Sequence, residues 1–408
     1  MNSGFELLDY IIFATYAFVI LTIGLWVSRD KKGKEKSAED YFLAGKSLPW
    51  WAIGASLIAA NISAEQVIGM TGSGFVVGLA IASYEWMAAI TLIIVGKYFL
   101  PIFIEKKIYT IPEFVEKRFS TELKTILAVF WIGLYIFVNL ASVLYLGGLA
   151  LETILDVDMK YAVLGLGLFA AAYSLYGGLS AVAWTDIIQV FFLILGGIVT
   201  TYLALDTVSG GQGAIEGFKT IYNAVPEKFD MILDKSNPEY NNLPGLGVLI
   251  GGMWVANIYY WGFNQYIIQR TLAAKSLKES QKGILFAAGL KMIMPLIIVI
   301  PGIAAYVIVN DPQILSSLGD SALANIPGEG ANDKSYPWLM QFLPTGLKGI
   351  AVAALAAAIV SSLASMLNST GTIFTMDIYR QTFNKNASEK QMVTTGRISA
   401  AIALIIAV

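Results

Sequence analysis

The chain alternates long apolar stretches with short polar ones. Apolar runs of spanning length recur at about 10–28, 53–75, 79–104, 124–150, 160–178, 184–205, 246–268, 282–309, 347–376 and 394–408. A helix rises 1.5 Å per residue, so roughly 20 residues cross the ~30 Å hydrocarbon core of a bilayer. Ten such runs predict an all-α polytopic membrane protein. The tenth is still apolar at Val408 and too short for a full crossing, which leads to the expectation that the chain is a piece of a longer protein.

Two of the runs are interrupted. The second contains Ala60-Asn61-Ile62-Ser63-Ala64-Glu65-Gln66 followed by Gly69, Gly72 and Gly74; the seventh contains Ala256-Asn257-Ile258-Tyr259-Tyr260-Trp261-Gly262-Phe263-Asn264-Gln265. The two stand five positions apart in the series, an odd number, so they run through the membrane in opposite directions. Matching interruptions in oppositely directed helices are the pattern of an inverted-repeat transporter with broken helices.

Lys and Arg in the loops set the orientation, because short cytoplasmic loops are enriched in them. With the N-terminus outside, the inside loops are about 29–52, 105–124, 177–184, 270–282 and 377–397, and they carry 19 basic residues. The outside loops carry six: Lys160, Lys219, Lys228, Lys235, Lys334 and Lys348. The first run is not read as a signal peptide. Glu6 and Asp9 precede it, and Arg29, Lys31, Lys32, Lys34 and Lys36 follow it, without a small-residue cleavage site. The two long loops, 206–245 and 310–346, lie outside and are expected to hold short surface helices.

Composition narrows the chemistry. Only 14% of residues are charged, against roughly 25% in a soluble domain, and mean hydropathy is +0.66. A net charge of −2 argues against nucleic-acid binding. The 408 residues include no Cys and no His, which excludes disulfides, thiol nucleophiles and imidazole relays. No nucleophile elbow or metal-ligand cluster is present, so an enzyme is not expected.

Four polar residues fall within apolar runs on four different segments: Gln66, Glu85, Asn257 and Lys291. A lysine at the bilayer centre costs ~2.5–3.5 kcal/mol on insertion scales. Lys291 therefore either snorkels to the inner surface or faces a polar cavity; Lys97, late in its helix, reads as a snorkelling residue. Glu85 is either an interfacial carboxylate among aromatics or a cavity-facing acceptor. Convergence on one interior cavity satisfies all four at once. Neutral hydrogen-bonding groups beside flat aromatic rings suit a hydroxyl-rich solute. The stretch from Ala351 to Ser369 is dense in small residues. That density serves close helix packing, or else Ser361 and Ser362 join carbonyls freed by an unwound neighbour in a neutral-oxygen cage for Na⁺. The sequons Asn368-Ser369-Thr370 and Asn386-Ala387-Ser388 are discounted as glycosylation sites, the first lying in a membrane run and the second in an inside loop.

The run Tyr176-Gly177-Gly178-Leu179-Ser180-Ala181-Val182-Ala183-Trp184-Thr185-Asp186-Ile187-Ile188-Gln189 resembles the signature of the sodium:solute symporter family. The stretch 41–51 (Tyr-Phe-Leu-Ala-Gly-Lys-Ser-Leu-Pro-Trp-Trp) and the region from Asn257 to Thr271 are similar to the family's bacterial sodium/galactose branch, which is related to animal sodium/glucose cotransporters. The resemblance implies a leucine-transporter-like fold. One extra N-terminal helix (10–28) would precede a first five-helix repeat (53–205) and an incomplete second repeat (246–408). It further implies Na⁺-coupled sugar symport by alternating access, in the cell inner membrane. The alternative is symport of another solute, such as an amino acid or vitamin. By resemblance, the Na⁺ ligands are the carbonyls of Ala59, Ile62 and Ala358 and the hydroxyls of Ser361 and Ser362. The sugar contacts are Gln66, Glu85, Asn257 and Lys291. Tyr260 is the inner aromatic gate held by Asn61, Met70 and Tyr84 lie on the outer side, and Asp186 lies on the Na⁺ exit path. One position departs: the galactose branch has Ser where this chain has Ala88.

The division of basic residues is directly testable on a background free of natural cysteines. Cysteines introduced at Ser37 and Gly210 should react with impermeant reagents from opposite sides, Gly210 from outside. Labelling of both from one side would contradict the orientation.

Overall fold

Hydrocarbon offers no hydrogen bonds to a backbone, and helices satisfy their own N–H and C=O groups segment by segment. The computed structural model describes residues 5–29, 35–63, 65–243, 245–323, 325–328 and 330–408; Lys31, Lys32 and Lys34 of the first inside loop, and Ala64, lie outside them. The described residues are helical with no named strand. The principal helices are α1 (Leu7–Val27), α2 (Trp50–Asn61), α3 (Glu65–Val76), α4 (Leu79–Glu105), α5 (Thr121–Glu152), α6 (Met159–Gly177), α7 (Leu179–Val208), α8 (245–263), α9 (Gln265–Leu272), α10 (Leu277–Asn310), α11 (Leu347–Phe383) and α12 (Glu389–Ala407).

Among the described residues, eight helices are long and apolar enough to span a membrane, and the α2–α3 pair, bent by 64°, makes a ninth. The tenth predicted run falls in α12. This helix starts earlier than expected, capped by Ser388, and its first half carries Glu389, Lys390, Gln391 and Arg397. That polarity keeps it below the standard the other nine meet.

Both interruptions are real breaks, but they are not equivalent at the Ala-Asn-Ile triplets. α2 ends at Asn61, where Ile62 leaves the helix with φ −82° and ψ 95°. In the second pair the triplet lies inside α8, and the chain breaks later, at Asn264, with φ −86° and ψ 119°. Both breaks fall within the stretches read as interrupted, but only in the first does the break follow the triplet directly.

Burial ranks the helices. In its most apolar window α11 is 94% buried, whereas α1 is 17% buried. α11 is the central post, and α1 is largely exposed on the outside of the bundle. Small residues allow the close contacts that helix packing in lipid requires. At the seam between α3 and α10, a Cβ on Gly302 would stand 2.0 Å from the carbonyl oxygen of Thr71. Thr71 in turn donates its hydroxyl to the Ile298 carbonyl at 2.8 Å. The tight α6–α7 turn uses Gly178 at φ +66°, where a side chain would also strike the Tyr41 carbonyl.

The long loops hold the expected short helices, including Ala214–Ala224 and Ser335–Met340. Four basic residues assigned to loops are buried instead. Arg270 is fully enclosed in α9, and Lys124 lies between Glu116 (2.8 Å) and Asp377 (3.3 Å). Lys228 donates to the Phe75 and Val76 carbonyls at the end of α3, at 2.8 and 2.9 Å, and Lys348 is buried at the start of α11. Desolvation holds the Lys228 pKa below the usual lysine range. Lys97 is exposed, as a snorkelling residue should be.

The seam gives a stability test. Gly302→Ala should lower the melting midpoint in detergent, by about 1–3 kcal/mol of overpacking. Gly289→Ala, on the same helix with nothing within 4 Å of its Cβ, should not.

Candidate functional site

The two broken helices expose polar groups at mid-helix depth, and a cavity of about 450 Å³ forms beside them. Its wall includes Asn61, Gln66 and Met70 from the first break, Tyr84, Glu85 and Ala88 from α4, and Asn257, Tyr260 and Trp261 from α8. Seven of the expected solute-site residues thus share one space. The eighth, Lys291, stands behind the wall, fully buried, with its ammonium 2.5 Å from Glu85 Oε2 and also bonded to Asn61 Oδ1. It does not snorkel.

Local structure explains how these side chains are aimed. A short 3₁₀ turn (Leu79–Ala82) ends at Ser83, and Glu85 follows in the first turn of the α-helical stretch Ser83–Ile94. Helix N-termini favour a carboxylate there. Gln66 lies in a wide turn, Glu65–Gly69, that opens α3, and donates to Glu85 Oε1 at 2.5 Å. Glu85 is therefore shared between a neutral amide at the cavity and a buried cation behind it. Removing one partner of a buried pair typically costs 3–5 kcal/mol, because the other charge is left uncompensated.

Tyr260 sits in a second wide turn, Tyr259–Phe263, just before the break in α8. Asn61 Nδ2 donates to its hydroxyl at 3.0 Å, and that hydroxyl lies 2.8 Å from the Tyr266 hydroxyl on α9. The ring is thus pinned from both halves of the first break–second break contact. Asn257 lines the cavity but donates to the Met253 carbonyl of its own helix at 3.1 Å. Ala88 presents a methyl group to the cavity, one hydrogen bond fewer than a serine would offer.

The candidate ion ligands meet where α11 packs against the end of α2. Ser361 and Ser362 are fully buried. Ser362 donates to the Ala60 carbonyl at 3.1 Å, and Ser361 donates to Asp186 Oδ1 at 2.6 Å. With both protons committed elsewhere, each hydroxyl oxygen keeps lone pairs for a cation. Ala59 is among the last four residues of α2, whose carbonyls have no intrahelical donor, and Ile62 follows the helix end. Ala358 is one turn before Ser362 on α11 and is buried. No cluster of three or more acidic, His or Cys ligands occurs among the described residues; the candidate oxygens are hydroxyls and backbone carbonyls, with the Asp186 carboxylate behind Ser361.

Asp186 is fully buried and tied to more partners than the sequence revealed. Ser56 donates to its Oδ2 at 2.5 Å, and Arg270 Nη2 lies 3.4 Å from the same oxygen. Arg270 also donates to Ser56 and Ser365, and Ser365 donates to the Ser361 carbonyl. Ser365 was detectable as the i+4 neighbour of Ser361. Arg270 and Trp261 were not, since Asp186, Ser365 and Lys291 lie on helices remote in sequence, and Tyr266 meets the Tyr260 hydroxyl only across the break at Asn264. Trp261 lies under the Lys291 ammonium, 5.1 Å from ring centroid to nitrogen.

Comparison with known proteins follows the same lines. The chain is 69% identical over 407 residues to a sodium/glucose cotransporter of Vibrio parahaemolyticus, covering 75% of that protein. It is 33% identical over 423 residues to the Homo sapiens sodium/myo-inositol cotransporter 2, covering 61% of it. Its fold matches that of a Na⁺-coupled sialic acid symporter with a TM-score of 0.86 at 24% identity, over 98% of this chain and 81% of that one. The expected leucine-transporter-like architecture is thereby met. The description of the sodium:solute symporter family matches residues 41–408, and the chain belongs to that family.

Proposed function

We propose that this chain forms the core of a Na⁺-coupled symporter for a sugar or related cyclic polyol, working by alternating access rather than as an enzyme. Gln66, Glu85, Asn257 and Lys291 hold the solute hydroxyls, Tyr260 closes the cavity on the cytoplasmic side, and Met70 and Tyr84 lie on its outer side. Ala59, Ile62, Ala358, Ser361 and Ser362 coordinate Na⁺, and Asp186 receives the ion on its way out. The protein sits in the inner membrane with its N-terminus outside. Residues 53–205 and 246–408 form the two repeats, preceded by the helix at 10–28.

One observation carries the reading: consecutive residues at the end of α2 face both sites. The Ala60 carbonyl is held by Ser362 on the ion side. Asn61 holds Tyr260 and Lys291 on the solute side. An ion that draws α11 and the end of α2 together thereby fixes Asn61, and with it the gate and the solute-binding ammonium. Loss of the ion frees the same residue. Coupling requires such a difference in interaction between states, and the coupling is reciprocal. The ring of Tyr260 can stack on the apolar face of a pyranose while its hydroxyl stays on Asn61, so binding and gating use different atoms of one side chain.

Two sets of variants test this, read as uptake of labelled galactose, glucose and myo-inositol into proteoliposomes of the full-length protein. Ser362→Ala removes one oxygen from a cation, an interaction of ~1.5–3 kcal/mol. It should raise the Na⁺ concentration for half-maximal uptake about 10- to 100-fold while the protein still inserts. Unchanged Na⁺ dependence would put the ion elsewhere.

Lys291→Ala and Glu85→Ala should each abolish uptake and each destabilise by about 3–5 kcal/mol. The double variant should recover much of the stability and none of the transport. Recovery of transport in the double variant would mean that the pair is structural only. Tyr260→Ala should weaken solute binding, whereas Tyr260→Phe should spare binding and raise solute leak.

A further inference from the structure

Away from the cavity, an apolar crevice of about 270 Å³ opens between α1, the end of α5 and α6. Tyr16 of α1, Tyr161, Gly165 and Phe169 of α6, and Ala356 and Val360 of α11 line it, and no charged side chain does. Tyr161 is 73% exposed at the mouth, while Tyr16, Ala356 and Val360 are nearly fully buried at the floor. Eight residues of α6 separate Tyr161 from Phe169, a depth of about 12 Å. A Cβ on Gly165 would meet nothing within 4 Å. α1 is the least buried of the spanning helices, and the crevice interrupts its seat against the core.

Charges of both signs adjoin two lining residues in sequence, Asp156 and Asp158 on either side of Val157 and Lys160 next to Tyr161, and we call them its lip. Asp156 and Asp158, in the turn between α5 and α6, and Lys160, in the first turn of α6, are all exposed. No ion pair involving Lys160 is found among the described residues.

We propose that the crevice holds one acyl chain of a phospholipid whose headgroup carries both a phosphate and a primary ammonium, as phosphatidylethanolamine does. Surrounding lipid is as apolar as the crevice, so the hydrophobic effect does not drive entry. The gain is van der Waals contact, which an unfilled gap in a packed interior forfeits. The lip then selects the headgroup. Lys160 meets the phosphate, and the carboxylates of Asp156 and Asp158 accept hydrogen bonds from the ammonium. A choline head has no N–H to donate, and an anionic glycerol head sets its charge against two aspartates. The seated chain fills the space behind α11 at Ala356 and Val360, on the helix that carries Ser361.

The test is native mass spectrometry of the full chain released from detergent, after exchange into phosphatidylethanolamine, phosphatidylcholine or phosphatidylglycerol. The expected result is one strongly retained phosphatidylethanolamine, with the other two lipids retained less. Gly165→Leu, which fills the crevice, should lose that copy. Gly133→Leu, at an open glycine on α5 outside the crevice, should keep it. Lys160→Ala, a surface change that leaves folding intact, should weaken retention about two- to fivefold, as an exposed ion pair would. Equal retention of the three lipids, or an unchanged lipid count in both Gly165→Leu and Lys160→Ala, would overturn the proposal.

Discussion

Hydrocarbon cannot hydrogen-bond a peptide group, and the rest of this structure follows from that constraint. It makes the described residues helical, and it makes any break in a helix costly unless protein or a water-lined space supplies the missing partners. The described residues hold two such breaks within spanning runs, after Asn61 and at Asn264, and the fold places them side by side. The free carbonyls at the end of α2 face the hydroxyls of α11, and the polar side chains around the breaks share one cavity. The same constraint thus forces the polar chemistry to one place and keeps it out of lipid.

Charges inside the protein obey a related rule, since an unpaired buried charge is far more costly than a paired one. Two buried pairs flank the first break. Lys291–Glu85 lies on the solute side, and Arg270–Asp186 on the ion side. Each also bonds residues of the proposed sites: Gln66 and Asn61 in one case, and Ser361 in the other, where Ser56 is a further donor to Asp186. Under the proposed assignment of the sites, a ligand that competes for these partners would redistribute bonds around a charge that cannot leave.

Family membership rests on the match over residues 41–408 and on high identity to a bacterial relative. The chain spans three quarters of that relative and 61% of the human sodium/myo-inositol cotransporter 2. Within that span lie both breaks, the cavity-lining residues described above and the proposed ion ligands.

Much of this was legible from residue order alone. Spanning runs report the solvent that each segment must face, a local property, so the helix count was nearly right. Its one shortfall was α12, where a polar first turn precedes an apolar end. The costly placement of Lys291, Glu85 and Gln66 in apolar runs was likewise visible, because lipid exposure penalises each residue separately. Tertiary structure alone decided which polar residues are partners. Lys291 meets Glu85 across 206 residues and Asn61 across 230, and Arg270, counted among loop cations, turns inward to Asp186. It also decided where within the interrupted stretch 256–265 the second helix breaks, at Asn264. Periodicity encodes which face of a helix is buried. It does not encode which buried group lies opposite, since that depends on how separate helices cross in three dimensions.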